Sequence, residues 1–402
     1  MLSEIRSKYI IKNIFEYVGH FKCLDILRHN KAFQNILQLS LKDYEAAYRE
    51  HNQIEIEIIP EEQNGKFIII NYDEKDEPYF HIYYDDEEKE RKGKYLEENV
   101  STIKVKIDVE AQTFQGLFEN VFLIKEVNFI KFNRKNITNM SHMFNFCINL
   151  KKLNIQNIKT ENVTDMNSFF GSCLSLEELN LSNFNTSKVT NMCHIFYNCK
   201  ALKELYVSNF NTSNVTKMDY MFYDCSSLEK LNLSNFNTSK VTSIHRIFNG
   251  CESLKELNLL NFDINNITEL DWIFCNCKLL KKLNLSNFNT SNVINMSAMF
   301  YGCKSLQELN IANFDTSKVT RMDQMFAKCE SLKNLDISNY NTCNVIRMDD
   351  MFNGCTSLID LNITNFNTDK VENMKSMFNN CSEELKSKIK LKNKNIKDQA
   401  FL

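Results

Sequence analysis

From Leu176 onward the apolar positions fall in a fixed order. Leu176, Leu179 and Leu181 take L-x-x-L-x-L spacing; Phe184, Val189 and the trio Met192, Ile195 and Phe196 follow, and Cys199 ends the phrase. The last two leucines stand two apart, which puts both on one face of a short strand. The i, i+3, i+4 spacing of Met192, Ile195 and Phe196 predicts a helical or 3₁₀ turn facing inward. Asn, Ser, Thr and Lys fill the gaps, as turns require. The phrase then recurs. Cysteines stand at Cys147, Cys173, Cys199, Cys225, Cys251, Cys277, Cys303, Cys329, Cys355 and Cys381, each 26 residues after the last. One such unit cannot bury its apolar side, but stacked units share a continuous core, with strands roughly 4.8 Å apart. The pattern predicts an α/β repeat solenoid over residues 113–383, with a leucine-rich-repeat-like parallel sheet and short helical turns.

The flanks have other periods. Residues 1–50 read as a helical module, with apolar faces at Ile10, Ile11, Ile14, Phe15 and Val18, then Phe21, Leu24 and Leu27, then Phe33, Ile36 and Leu37. In residues 51–112, Ile54, Ile56 and Ile58 alternate with Glu55 and Glu57, and GKFIIINYD and PYFHIYYDD are β-rich. This stretch reads as a strand-rich connector and N-terminal cap. Residues 85–99 within it are dense in both charges and read as an exposed, mobile loop. Residues 113–121 form a degenerate half-coil. Residues 384–402 form a basic tail or cap whose first part suits a helix closing the last coil and whose remainder is expected to fray.

The repeated phrase L-x-x-L-N-L-S-N-F-N-T-S-x-V-T-x-M-x-x-M-F-x-x-C-x-S resembles the BspA-like leucine-rich-repeat family, and the resemblance covers about Phe114 to Cys381. It implies an interaction surface and no known chemistry; bacterial members of that family include surface-protein repeats. The IFEYV and NKAFQNIL stretches distantly resemble an F-box, a helical module that binds a ubiquitin-ligase adaptor, although Ser7-Lys8-Tyr9 stands where the usual Leu-Pro would be. A small helical cap is the alternative reading of the same residues.

A net charge of −3 supplies no polyelectrolyte field for nucleic acid. No apolar run reaches the 18 residues of a membrane span, and the first 20 residues have charges throughout and no signal-peptide core. The expectation is therefore a cytoplasmic chain, with the cell surface as alternative. The cysteine column reads as buried reduced thiols: side chains in one file point the same way, which suits neither a disulfide torsion nor tetrahedral zinc. Cys193 and Cys275 are extra and expected to be exposed, and Cys343 replaces a serine such as Ser187 in its unit. An asparagine in every unit, from Asn157 to Asn365, reads as a structural ladder satisfying backbone groups. No Walker loop, GxGxxG, GxSxG or HExxH occurs, so no catalytic, cofactor or metal residue is assigned and an enzyme is not expected. A ligand would be read by columns that vary. The aromatic and cationic residues in those columns, Tyr206, Tyr220, Tyr223, Arg246, Trp272 and Tyr301, are the candidate protein-binding residues.

Overall fold

A computed structural model describes residues 30–37, 41–62, 65–85, 87–111 and 114–402. The NKAFQNIL stretch forms helix α1 (Lys31–Leu37), and α2 (Leu41–Asn52) follows. The IFEYV half of the F-box-like resemblance and Cys23 lie outside the described residues.

The strand-rich stretch holds β1 (Ile54–Pro60), β2 (Phe67–Ile68), β3 (Phe80–Tyr84), β4 (Glu90–Arg91), β5 (Tyr95–Leu96) and β6 (Ile103–Ile107). Alternation dictates their faces: Ile54, Ile56, Ile58, Ile103, Val105 and Ile107 are fully buried. Next come β7 (Ile124–Lys131) and β8 (Lys152–Asn154), and one sheet runs β4-β3-β6-β1-β7-β8. Its pairs are antiparallel up to β7, and β7 pairs β8 in parallel. The connector is thus hydrogen-bonded straight into the first coil, whose edge would otherwise be open. Arg134 clamps the junction. Its buried guanidinium donates to the carbonyls of Asn52, Ala111, Ile107 and Asp108, and burial pulls its pKa down to about 10. The expected loop at 85–99 is corrected in part: it contains β4 and β5, because Tyr95 and Leu96 pair with Ile68 and Phe67 and Leu96 is buried.

Beyond β8 the chain is a solenoid. Each coil contributes a three-residue strand: β9 (Glu178–Asn180), β10 (Glu204–Tyr206), β11 (Lys230–Asn232), β12 (Glu256–Asn258), β13 (Lys282–Asn284), β14 (Glu308–Asn310), β15 (Asn334–Asp336) and β16 (Asp360–Asn362). These pair in parallel and in register as β9 with β10, β11 with β12, β13 with β14 and β15 with β16. Ion pairs Lys203–Glu177, Lys255–Glu229 and Lys282–Glu308 reinforce the same pairings.

The α/β expectation needs correcting at the Met-x-x-Met-Phe segment, which is no helix. Residues 193–198 and their equivalents are successive turns. Alternate N–H groups leave the turn and donate to the next coil: His194 to Asp219, Phe196 to Met221 and Asn198 to Tyr223. The others close the turn, as Tyr197 does to His194 and Cys199 to Phe196. Stacking satisfies half of the backbone, so the i, i+3, i+4 apolar trio faces inward without any helical bonding. The described residues are mostly sheet and turn.

Four side-chain ladders hold the coils together. Phe196, Phe222, Phe248, Phe274, Phe300, Phe326, Phe352 and Phe378 stack at 5.5–5.8 Å between ring centroids. Each column cysteine is buried, unpaired, and donates its S–H to a phenylalanine carbonyl one coil back, as Cys199 does to Phe170 and Cys225 to Phe196. The asparagines donate to the preceding coil, Asn209 to Leu181 and Phe184 for example. A buried threonine column does the reverse: Thr186 Oγ1 donates to the Asn211 carbonyl and accepts the Asn211 N–H. Cys193 and Cys275, expected to be more exposed, are buried at 7% and 1% exposure, and Cys343 is half-buried. The first two are covered by their neighbours although other coils carry Asp219 or Tyr223 at the same positions.

The last coil is closed. Ser382 caps α3 (Glu383–Lys392), which buries Leu385 and Ile389. The rest of the tail does not fray. Asn395 stands in for the asparagine column by donating to Phe366, Ser376 and Phe378 N–H groups donate to Gln399 and Ala400, and Phe401 stacks on Phe378 at 5.3 Å. The tail imitates one further coil.

Candidate functional site

The turn segment has a backbone requirement that the repeat phrase conceals. In each coil, the residue five before the column cysteine and the residue one before it both have positive φ. The second of these columns is filled as physics favours, largely with Gly, Asn and Asp: Asn198, Asp224, Gly250, Asn276, Gly302 and Gly354. At Gly250 (φ +78°) space adds to conformation, since a Cβ would lie 1.9 Å from Asp224 Oδ1.

The first column is not filled that way. His194 (φ +57°), Tyr220 (+55°), Arg246 (+52°) and Trp272 (+60°) follow one another, all left-handed and all large. Such residues in this region are strained by roughly 1–3 kcal/mol each, and they persist where surroundings over-determine them. The surroundings are one another. His194 stacks on Tyr220 at 4.9 Å and Tyr197 on Tyr223 at 5.1 Å, with Tyr220 and Tyr223 in contact at 5.6 Å. The Arg246 guanidinium lies 5.3 Å from the Trp272 ring centroid, Trp272 is 6.0 Å from Tyr301, and Lys328 Nζ sits 4.8 Å over Tyr301 while donating to its hydroxyl. A largely half-buried aromatic and cationic stripe therefore runs along one edge of six successive coils.

The stripe's electrostatics follow from this packing. Burial pushes the His194 imidazole down, and burial beside Asp224 pushes the Tyr223 phenol up. The bond to Tyr301 raises Lys328. The carboxylates beneath are engaged: Asp219 accepts from Ser243 and the His245 N–H, Asp271 lies 3.1 Å from His245 Nδ1, and Glu252 pairs with Lys278. Arg246 has no ion-pair partner among the described residues, and its Nε is buried without a hydrogen bond.

Of the six residues predicted from sequence, Tyr220, Tyr223, Arg246, Trp272 and Tyr301 lie on this edge. Tyr206 does not. It stands on strand β10, 48% exposed, with its hydroxyl donating to Glu204. The strand surface it belongs to carries a shallow cleft of about 760 Å³ lined by Leu257, Leu283 and Leu309 among charged residues. Sequence reasoning left out Lys328 and His245. A lysine standing in a column of turn-forming Gly and Asn was the available signal for Lys328.

The stripe also straddles an interruption in the backbone ladder. Every other pair of adjacent coils from Met140 to Asn373 forms three bonds that this one lacks: Ile244 N–H to Glu269, Arg246 N–H to Asp271, and Thr268 N–H to Thr242. The bridge between Ser243 and Glu269 is missing with them. In the next coil Ile264 replaces the ladder threonine.

Fold and site together define a leucine-rich repeat solenoid with one irregular edge. The chain belongs to the family described as "Mycoplasma protein of unknown function, DUF285", whose model matches residues 112–205, 176–283, 202–309 and 268–392. Among solved structures it is similar to a leucine rich cell surface protein from Faecalibacterium prausnitzii A2-165, with 20% identity and a TM-score of 0.39 over 66% of this chain and 72% of that one. No curated protein matches.

Proposed function

We propose that this chain is a non-catalytic binding scaffold that recognises a protein partner through the turn edge carrying Tyr220, Tyr223, Arg246, Trp272 and Tyr301. One observation carries the reading: bulky residues fill a left-handed column in four successive coils at a cost in strain, one the neighbouring column mostly avoids with Gly, Asn and Asp. Tyr, Trp and Arg are also the side chains that anchor interfaces. Among the described residues no cluster of three metal-binding side chains occurs, and no helix is long and apolar enough to cross a membrane.

Display at a cell surface is the reading of location that the BspA-like repeats favour. The cytoplasmic expectation and the ubiquitin-ligase adaptor have no such support, the latter resting in part on residues outside the described ones.

Affinity recovery with tagged full-length protein tests the proposal. A partner held by the native chain and lost by Tyr223→Ala/Trp272→Ala at unchanged melting temperature supports it. Retention by that variant with loss by Tyr206→Ala would move the site to the strand surface.

A further inference from the structure

Two cations on the stripe are each held against an aromatic ring. Arg246 is stacked on Trp272, and Lys328 on Tyr301; neither forms an ion pair among the described residues, whereas Lys203, Lys255, Lys278, Lys282 and Lys304 all do. Of the nearby carboxylates, Asp219, Asp271 and Glu252 are bonded elsewhere, and Asp224, beside Tyr223, forms no ion pair with either cation. A guanidinium lying on an indole keeps its donors fixed in a plane, so less freedom is lost when a carboxylate takes them. The buried, unpartnered Nε of Arg246 adds a donor that has lost water and gained nothing in exchange.

We infer that the partner is an extended acidic protein segment, with one carboxylate received by Arg246, a second by Lys328, and an apolar or aromatic residue between them against Trp272 and Tyr301. Three coils separate the two cations, roughly 15 Å at ~4.8 Å per rung, which an extended chain covers in four to five residues at ~3.4 Å each. On this edge His194 and Tyr220 cover each other's faces at an interplanar angle of 11°, and the Trp272 and Tyr301 rings carry Arg246 and Lys328 on theirs. A ligand that needs an open ring face, such as a neutral sugar, is poorly served, whereas a peptide with side chains reaching between rims is well served. The charge complementarity makes encounter faster at low salt.

The inference rests on the binding reading above and is tested separately from it. The probe is a fluorescein-labelled synthetic peptide with two glutamates about five residues apart and a phenylalanine between them, titrated into the full chain. Its glutamine counterpart is the control. The acidic peptide is expected to bind, to weaken as salt rises, and to lose about tenfold or more with Arg246→Gln and several-fold with Lys328→Gln, an exposed position where folding is not at risk. Equal binding of the glutamine peptide, or Arg246→Gln and Lys328→Gln both without effect, would overturn it. So would stronger, Arg246-dependent binding of polygalacturonate, which would assign the cations to an acidic polysaccharide. If the peptide fails while Tyr223→Ala/Trp272→Ala still loses a cellular partner, the scaffold reading stands and only the acidic segment falls.

Discussion

At the scale of single residues, this chain uses ordinary side chains for unusual work, and the thiols show it best. A column of cysteines is small enough for the return of each coil and supplies an S–H donor to a carbonyl that stacking leaves with spare capacity. Burial pushes the Cys199 thiol up to about 12 and that of Cys381, at the last coil, to about 11. A folded thiol with raised pKa holds its proton where the unfolded one, at about 8.5, has lost it. Stability is thus fully present below about pH 8.5 and falls as pH rises toward the folded value, by about 1.4 kcal/mol per unit for each buried thiol. Thermal melting followed from pH 7 to 11 should show a steep loss beginning near pH 9; a flat profile would contradict the buried column. A bulky maleimide at pH 7.5 should label native chain at Cys343 and leave the column untouched, which mass spectrometry of the digest will read. The threonine column gives the second residue-scale prediction. Ile264 replaces a threonine whose equivalents, such as Thr238, both donate to and accept from the following coil. Ile264→Thr should restore those bonds to Asn289 and raise stability by about 1 kcal/mol, seen as a higher denaturation midpoint.

Among elements, the turn segment decides most. Its backbone ladder runs from coil to coil with fewer breaks than the strand pairing, and its one interruption lies between Arg246 and Trp272. Backbone amides that lack a rung open more readily than those that have one. Hydrogen exchange should therefore be faster at Ile244, Arg246 and Thr268 than at the equivalent Met218, Tyr220 and Thr242, by an order of magnitude or more. Equal protection across these pairs would show the ladder to be continuous. The interruption coincides with the aromatic edge, so the coil least tied to its neighbour is also the one that carries the only tryptophan.

For the molecule as a whole, the ends matter because a stack of coils has two open faces. The N-terminal face is covered by the antiparallel sheet from β4 to β7, pinned through Arg134. The C-terminal face is covered by α3 and by the tail that imitates a coil through Asn395, Ala400 and Phe401. Removing residues 383–402 should expose Phe378 and the unpaired N–H groups of the last coil, lowering the melting temperature and promoting association visible in size-exclusion chromatography with light scattering. A monomer of unchanged melting temperature would mean the tail contributes nothing to closure.

The sequence by itself determined the solenoid, its core and its register, because a 26-residue period leaves only one way for Leu, Phe, Met and Cys to be buried together, and the same period exposed the varying columns that hold Tyr220, Tyr223, Arg246, Trp272 and Tyr301. It could not distinguish a helical turn from a run of turns bonded to the next coil, since both place Met192, Ile195 and Phe196 on one side. Only the tertiary structure decided that hydrogen bonds pass between coils there and that His194, Tyr220, Arg246 and Trp272 take left-handed backbone as a consequence. The reason is that a backbone bond to a residue 25 positions away leaves no local trace in the side chains that make it.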